Sequence, residues 1–190
     1  MEFFARTVMG EDPAHGWPHI ERVLVLASKI IVAEGLASAI DNRTVYLAAL
    51  LHDVGRFTGR SQSHAVESAR IARELVGLLW GAEEVSAAVE HAILAHSYSS
   101  DTAPKSLEAK ILSDADKLDA LGAHGIARVF HTGCLMKRGF DKSIEHFKEK
   151  ILKLPDLMHF DWSRREAEKR VHRIEEFLSW WLEEAHLLSQ

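Results

Sequence analysis

The periodicity of the apolar residues constrains the fold more than any other feature of this sequence. Apolar residues recur at three- and four-residue spacing through nearly the whole chain, and alternating runs rich in β-branched residues are few. Three- and four-residue spacing aligns side chains on one face of an α-helix, whereas a half-buried strand requires alternation. The sequence therefore predicts an all-α fold, and 190 residues suit a single domain built around one core.

Prolines, glycines and capping residues indicate where the predicted helices begin and end. Pro18 occupies a favoured first helical position and Gly35 a favoured stop, so we expect a helix between them. Asp41 is expected to cap the next helix, which is nearly all apolar in its middle, and Asp141 is expected to cap a later one. Segment 163–166, Ser-Arg-Arg-Glu, has the spacing of a capping box that opens the last long helix.

The remaining chain divides into helices and polar loops without a linker, an internal repeat or a low-complexity segment. Further helices are predicted near 64–80, near 82–97 and from about 106, and loops are predicted at 57–63 and 97–105. Gly122 and Gly125 are expected to mark a bend or a close helix contact. We expect a motif core over about 15–131, with C-terminal helices at 138–188 packing on it.

Composition narrows the classes of protein to consider. Hydrophobic residues make up 47% and charged residues 27%, and no apolar run approaches the roughly 18 residues that cross a bilayer. The N-terminus lacks the pattern of a secretion signal, so we expect a soluble, cytoplasmic protein. A formal charge of -5 gives no electrostatic footprint for duplex nucleic acid or an anionic membrane. Cys134 is the only cysteine, which excludes an internal disulfide and any cysteine-rich zinc site.

The dipeptide His52-Asp53 ends the most apolar predicted helix, where isolated polar groups are costly to bury. A shared metal ion would satisfy both side chains. The dipeptide alone is equally compatible with a hydrogen-bonded core histidine and an aspartate that caps a neighbouring helix.

Other metal-competent residues lie upstream and downstream of this dipeptide. His19 begins the helix after Pro18, and Asp116 lies in a later apolar helix, three residues before Asp119 and on the same helical face. Two imidazoles and two carboxylates from separate helices would form a mixed nitrogen and oxygen site. Such a site suits Mn, Fe, Co, Ni or Zn, with Mg as a further candidate, better than copper(I).

With these residues in view, the sequence resembles the HD-domain phosphohydrolases, whose pattern is a histidine, then His-Asp, then a later aspartate on successive helices. The matching residues here are His19, His52, Asp53 and Asp116. The segments HGWPHIERV, LAALLHDVG, SLEAKILSDADKLDALGAHGIARVF and KILKLPDLM are similar to the bacterial YpgQ/YedJ-like subgroup. This resemblance implies an orthogonal helical bundle, a divalent metal held by those four residues, and activity on nucleoside triphosphates.

Two features bear on how far the resemblance extends. The segment HTGCLMKRGF departs from the subgroup in the region expected to face substrate. Some HD enzymes bind a second metal through additional histidines, and His64, His91 and His96 occupy comparable positions. We expect one tightly held ion, with His64 and His91 as the candidate ligands for a second.

The proposed reaction is hydrolysis of a phosphate ester or anhydride, in which the ion acidifies a bound water and neutralises phosphoryl charge. Asp53 and Asp119 are candidates for orienting or deprotonating that water. Arg56, in the segment HDVGR, and Lys117 are candidates for binding substrate phosphate. Both cations are equally compatible with surface ion pairs.

The expected partner is a small phosphorylated substrate, of which a nucleotide is the first choice, with a nucleoside triphosphate pyrophosphohydrolase as the reaction type. The alternative enzymes are a phosphodiesterase and a nucleoside monophosphate phosphatase, because the ligands alone do not discriminate phosphate linkages. A metal-binding regulatory module without turnover is the alternative from a different class. The complete set of four ligands argues against it.

Overall fold

A computed structural model of the chain describes residues 1–59, 63–97 and 102–187. All regular structure within these ranges is helical, which confirms the predicted all-α class. The α-helices, in chain order, are α1 (Glu2–Met9), α2 (Trp17–Ala33), α3 (Asn42–Leu51), α4 (His64–Trp80), α5 (Glu83–His96), α6 (Leu107–Asp119), α7 (Gly122–Leu135), α8 (Phe140–Glu149) and α9 (Asp161–Leu187). Two 3-10 helices complete the described elements, Val54–Phe57 and Ile151–Leu157.

The chain folds into two compact units, residues 1–116 and 117–190. The predicted division, with a motif core over about 15–131 and packed C-terminal helices over 138–188, stays a prediction. No helix of the described residues is both long and apolar enough to span a membrane. The predicted loops at 57–63 and 97–105 fall partly on residues 60–62 and 98–101, which lie outside the described ranges.

Helix α3 lies in the core of the first unit, as its apolar sequence predicts. Its residues from Leu47 to Leu51 are fully buried, together with Ile20, Ile30 and Ile93 from the helices around it. Each buried leucine or isoleucine side chain contributes about 1.5–3 kcal/mol of transfer free energy. A well-packed central helix therefore fixes the position of whatever follows its last turn.

The predicted start and stop signals of α2 and α3 are confirmed. Pro18 lies in the first turn of α2, and Gly35 follows its C-cap with a φ of 66°, in the left-handed region that favours glycine. Asp41 is the N-cap of α3, and its side chain accepts a hydrogen bond from the backbone amide of Arg43 at 3.1 Å. The same carboxylate accepts a second hydrogen bond from the hydroxyl of Thr44 at 2.8 Å.

Two predicted caps in the second unit are wrong. Helix α8 begins at Phe140 with Gly139 as its N-cap, so Asp141 lies inside the first turn, where its charge is favourable to the helix dipole. Helix α9 begins at Asp161, two residues before the predicted capping box. The hydroxyl of Ser163 is buried and has no hydrogen-bond partner within the described part of the chain. In both cases the helix starts earlier than the capping residue indicates.

The chain bends between α6 and α7, and the two glycines expected to mark a bend or a close contact, Gly122 and Gly125, lie in the first turn of α7. Gly122 adopts a φ of 70° at the start of α7. A Cβ on Gly125 would lie 2.2 Å from the carbonyl oxygen of Ala120, so this close approach requires glycine. Farther along the unit, Trp181 stacks on Phe130 with a centroid separation of 5.7 Å, which is a packing contact in an aromatic cluster.

Candidate metal centre

His52 follows the last turn of α3 and lies in the interior of the first unit. His52 is the C-cap of α3 and is fully buried. Its Nδ1 lies 2.8 Å from the carbonyl oxygen of Ala49, and because a carbonyl only accepts, Nδ1 must donate. A proton therefore occupies Nδ1, and Nε2 is the ring nitrogen that faces His19. This arrangement is the one that metal-ligating histidines commonly use.

His19 brings a second imidazole to the same point from the first turn of α2. It is fully buried, and its Nε2 lies 3.1 Å from Nε2 of His52. Two ring nitrogens that face each other at this distance are satisfied either by one shared proton or by one shared cation. The rings meet edge to face, with centroids 5.1 Å apart.

Asp53 adds a buried carboxylate directly after His52. Its Oδ2 lies 3.9 Å from Nε2 of His19. None of the described residues hydrogen-bonds to its Oδ1. Burial alone raises the pKa of this carboxyl, but the charges of His52, Arg56 and His19 outweigh burial and hold the pKa well below its ordinary value. Asp53 is therefore a carboxylate with a buried oxygen that a cation would satisfy.

Asp116 approaches the two histidines from α6. Its Oδ1 lies 3.4 Å from Nε2 of His19 and 3.9 Å from Nε2 of His52, and one quarter of its side chain is exposed. His19, His52 and Asp53 are buried, and one ligand atom from each lies within 4.8 Å of the others. Asp116 thus lies on the solvent side of three buried donors.

These donors fit a divalent cation by distance and by chemistry. Ligand atoms about 2.0–2.2 Å from one ion lie roughly 3–3.5 Å from each other in tetrahedral or octahedral geometry. The separations between His19 and its neighbours His52 and Asp116, 3.1 and 3.4 Å, fall in this range. Two imidazoles and two carboxylates also match the predicted nitrogen and oxygen set.

A second group of donors shares Asp53. His64, at the start of α4, places its Nε2 3.6 Å from Oδ1 of Asp53. His96, at the end of α5, completes the group, and all its ligand atoms lie within 4.8 Å of one another. Burial lowers the pKa of His96 to about 4, so its imidazole is neutral near pH 7. Burial, followed by the charge of Arg56, likewise lowers the pKa of His64.

The structure does not bring His91, the predicted partner of His64, into this group. Nε2 of His91 accepts a hydrogen bond from the backbone amide of Lys105 at 3.1 Å, which uses its lone pair. His96 takes its place beside His64, with ring centroids 5.8 Å apart. A signal for His96 exists in the sequence, because it ends the apolar run AILAH as His52 ends LAALLH. Each of the two histidines also donates a hydrogen bond from Nδ1 to the carbonyl oxygen three residues earlier, His52 to Ala49 and His96 to Ile93.

Arg56 contacts both groups of donors. Its Nε lies 2.8 Å from Oδ2 of Asp53, and its Nη2 lies 3.0 Å from Nε2 of His64. The side chain is one-third exposed, so part of the guanidinium remains accessible from solvent. These contacts tie Arg56 to the candidate ligand side chains, whereas the sequence left open a role toward substrate and a surface ion pair.

The remaining predicted site residues, Lys117 and Asp119, belong to the second unit. Asp119 is buried and accepts a hydrogen bond from Nη1 of Arg128 at 2.7 Å. This ion pair gives the carboxylate a structural partner between the end of α6 and helix α7. Lys117 is also buried, and it follows Asp116 directly in α6.

Comparisons with known proteins identify the family of the chain. The HD domain family matches residues 16–121, a range that contains the donors described above. Bacillus subtilis YpgQ is 31% identical over 176 residues, which cover 88% of this chain and 83% of YpgQ. The crystal structure of YpgQ in complex with ADP superposes with a TM-score of 0.77 at 28% identity, and the match covers 96% of this chain and 92% of YpgQ.

A second similar solved structure is that of an HD-superfamily hydrolase. An HD-superfamily hydrolase from Bacillus thuringiensis superposes with a TM-score of 0.73 at 33% identity, over 97% of this chain and 94% of that protein. The family match spans more than half of the chain, and the relatives match over most of it. The chain therefore belongs to the HD domain family of metal-dependent phosphohydrolases.

Proposed function

We propose that this protein hydrolyses a phosphoanhydride of a nucleotide, as a nucleoside triphosphate pyrophosphohydrolase, with one divalent ion held by His19, His52, Asp53 and Asp116. The observation that carries the proposal is the convergence of the two Nε2 atoms at 3.1 Å beside the buried Asp53. One cation between the two Nε2 atoms would satisfy both ring nitrogens and would lie beside the carboxylate of Asp53.

Within this proposal the chain's own residues have separate tasks. A bound divalent ion supplies an acidified water and neutralises phosphoryl charge. Asp53 stays ionised near pH 7, because its pKa is lowered, and so serves as a permanent ligand that orients the attacking water. Lys117 and the exposed part of Arg56 bind phosphoryl oxygens. Asp119 is the second candidate for orienting water, in competition with its ion pair to Arg128.

The nucleotide part of the proposal draws on a relative. Bacillus subtilis YpgQ has been crystallised in complex with ADP, and it is similar to this chain over 96% of the length. A nucleoside diphosphate carries the phosphoanhydride linkage that a triphosphate also has. The donor set is compatible with Mn, Fe, Co, Ni, Zn or Mg and does not select one of them.

The test is a manganese-supplemented panel of nucleoside triphosphates, diphosphates and monophosphates, with pyrophosphate and phosphate quantified separately. We expect a triphosphate to give a monophosphate and pyrophosphate. His52→Ala removes a ligand and should abolish the release. His172→Ala is the matched control, since His172 is 73% exposed and contacts only Glu175 at 4.0 Å among its described ion pairs. Equal release of pyrophosphate by the His52→Ala and His172→Ala variants would refute the proposal.

A second candidate function, hydrolysis of a phosphodiester or of a nucleoside monophosphate, is favoured by a specific observation. Asp53, His64 and His96 form a second donor group, and two-ion sites clamp both the attacking and the leaving oxygens of a displacement. Cleavage of bis-p-nitrophenyl phosphate in preference to triphosphates would favour the diesterase. A metal-bound protein that turns over none of these substrates would instead be a regulatory module.

A further inference from the structure

The guanidinium of Arg56 lies where the two donor groups meet. It contacts Oδ2 of Asp53 through Nε at 2.8 Å and Nε2 of His64 through Nη2 at 3.0 Å. Asp53 and His64 are two of the three members of the second group, whose third member is His96. Arg56 therefore engages most of the side chains that a second metal ion would need.

We propose that Arg56 takes the place of a second cation and thereby restricts the centre to one metal ion. The inference rests on the proposed function in one respect, the ion held by His19, His52, Asp53 and Asp116. It goes beyond that function because it makes Arg56, which is not itself a ligand, the residue that determines how many ions bind.

The chemistry of the guanidinium supports this role. Arginine has only donors and is always charged in proteins, so it neutralises a carboxylate permanently. Its Nη2 can only donate to His64, which means that the Nε2 lone pair of His64 is already used. A divalent ion entering this group would have to displace the hydrogen bond and lie beside a fixed positive charge, which repels it.

The rest of the second group is ready to bind an ion. Nδ1 of His96 lies 2.5 Å from the carbonyl oxygen of Ile93 and donates to it, which leaves the lone pair on Nε2. Oδ1 of Asp53 lies 3.6 Å from Nε2 of His64, a separation near that of two ligands on one ion. Removal of the guanidinium charge would therefore expose a competent set of three donors rather than an unfinished one.

The experiment counts manganese ions bound per chain, by equilibrium dialysis with elemental analysis, and records the low-temperature electron paramagnetic resonance spectrum. The native chain should bind one ion and give the signal of isolated manganese. Arg56→Ala and Arg56→Gln both remove the charge, and each should bind two ions whose spins couple through the shared Asp53. Arg56→Lys keeps a positive charge beside Asp53 and should stay at one ion.

A double variant locates the second ion, and a further variant is its control. Arg56→Ala combined with His96→Ala should return to one ion, because the double variant removes a ligand of the second group. Arg164→Ala is the matched control, since Arg164 contacts an aspartate three residues earlier, Asp161, at 3.1 Å, as Arg56 contacts Asp53. It should stay at one ion. Circular dichroism of each variant verifies that the helices are retained.

The outcomes separate this inference from the proposed function. If the native chain binds one ion and both neutral variants also bind one, Arg56 does not set the number and the inference is wrong. If the neutral variants bind none, Arg56 instead holds Asp53 for the first ion, which also overturns it. Two ions in the native chain refute the inference and the single-ion part of the proposed function, but they leave the proposed hydrolysis itself standing. A native chain that binds no manganese refutes both.

Discussion

Replacement of Gly55 by alanine is a sharp test of how the fold holds the site, because this glycine lies two residues after Asp53 and packs against α4. A Cβ at Gly55 would lie 2.6 Å from the carbonyl oxygen of His64, 2.7 Å from the amide nitrogen of Ser68 and 2.9 Å from its Oγ. Two of these atoms are backbone and cannot rotate away. Gly55 has no positive φ, so the cost of alanine is steric rather than conformational.

The expected loss of stability follows from these distances. Overpacking a close-packed interior costs about 1–3 kcal/mol, and contacts with backbone atoms place Gly55→Ala at the upper end, near 3 kcal/mol. The amide of Gly55 also donates to Oγ of Ser68 at 2.9 Å, so a shift of α4 weakens that hydrogen bond. Because α4 begins at His64, the same shift should move His64 away from Asp53.

Gly77→Ala is the matched control in the same helix. Among the described residues, no heavy atom lies within 4 Å of a Cβ built on Gly77 beyond its own helix and neighbours. Alanine should therefore stabilise the chain by about 0.5–1 kcal/mol, because glycine is costly inside a helix. Urea unfolding of metal-free protein, followed by circular dichroism, measures both changes. A Gly55→Ala variant as stable as the native chain would show that the packing of α4 on the 3-10 helix Val54–Phe57 is not as described.

Three further predictions concern the centre itself. His52→Ala and Asp53→Ala should each lose most of the bound metal without loss of helicity, measured by elemental analysis beside circular dichroism, because the core does not depend on the ion. Lys117→Ala should lower turnover by roughly a hundredfold with metal content unchanged, since it removes charge stabilisation in the transition state. The pKa of His96 is lowered from 6.5 to about 4, so the unfolded chain takes up a proton before the folded chain does. The resulting stability of metal-free protein is fully present above about pH 6.5 and falls as the pH approaches 4, by about 2 kcal/mol at pH 5. His96→Gln should remove this part of the pH dependence in urea unfolding, and an unchanged dependence would contradict the assignment.

The sequence predicts the helical placement of the candidate ligands where they lie on strongly patterned helices. His52 ends an apolar run that could only be a buried helix, so its burial and its direction follow from the pattern. His19 and Asp116 also lie in helices with clear apolar periodicity. Periodicity does not predict that these residues approach one another in the tertiary structure. That expectation came from the resemblance to a known family.

Other contacts were beyond sequence reasoning for physical reasons. His91 and His96 lie five residues apart on α5, and a helical pattern does not say which face meets α4. Burial decides it, since His96 is 2% exposed and His91 accepts from a backbone amide instead. The contact of Arg56 with Asp53 and His64 depends on the 3-10 turn after His52, a geometry that the residue types do not specify.

The most direct test of the central claim is anomalous diffraction at the manganese edge from crystals grown with manganese and a nucleotide. We predict one strong peak per chain, in contact with His19, His52, Asp53 and Asp116, with the nucleotide phosphates beside it. The two Nε2 atoms, 3.1 Å apart, are the feature that supports this position. A strong peak elsewhere, or none between the two histidines, would contradict the account.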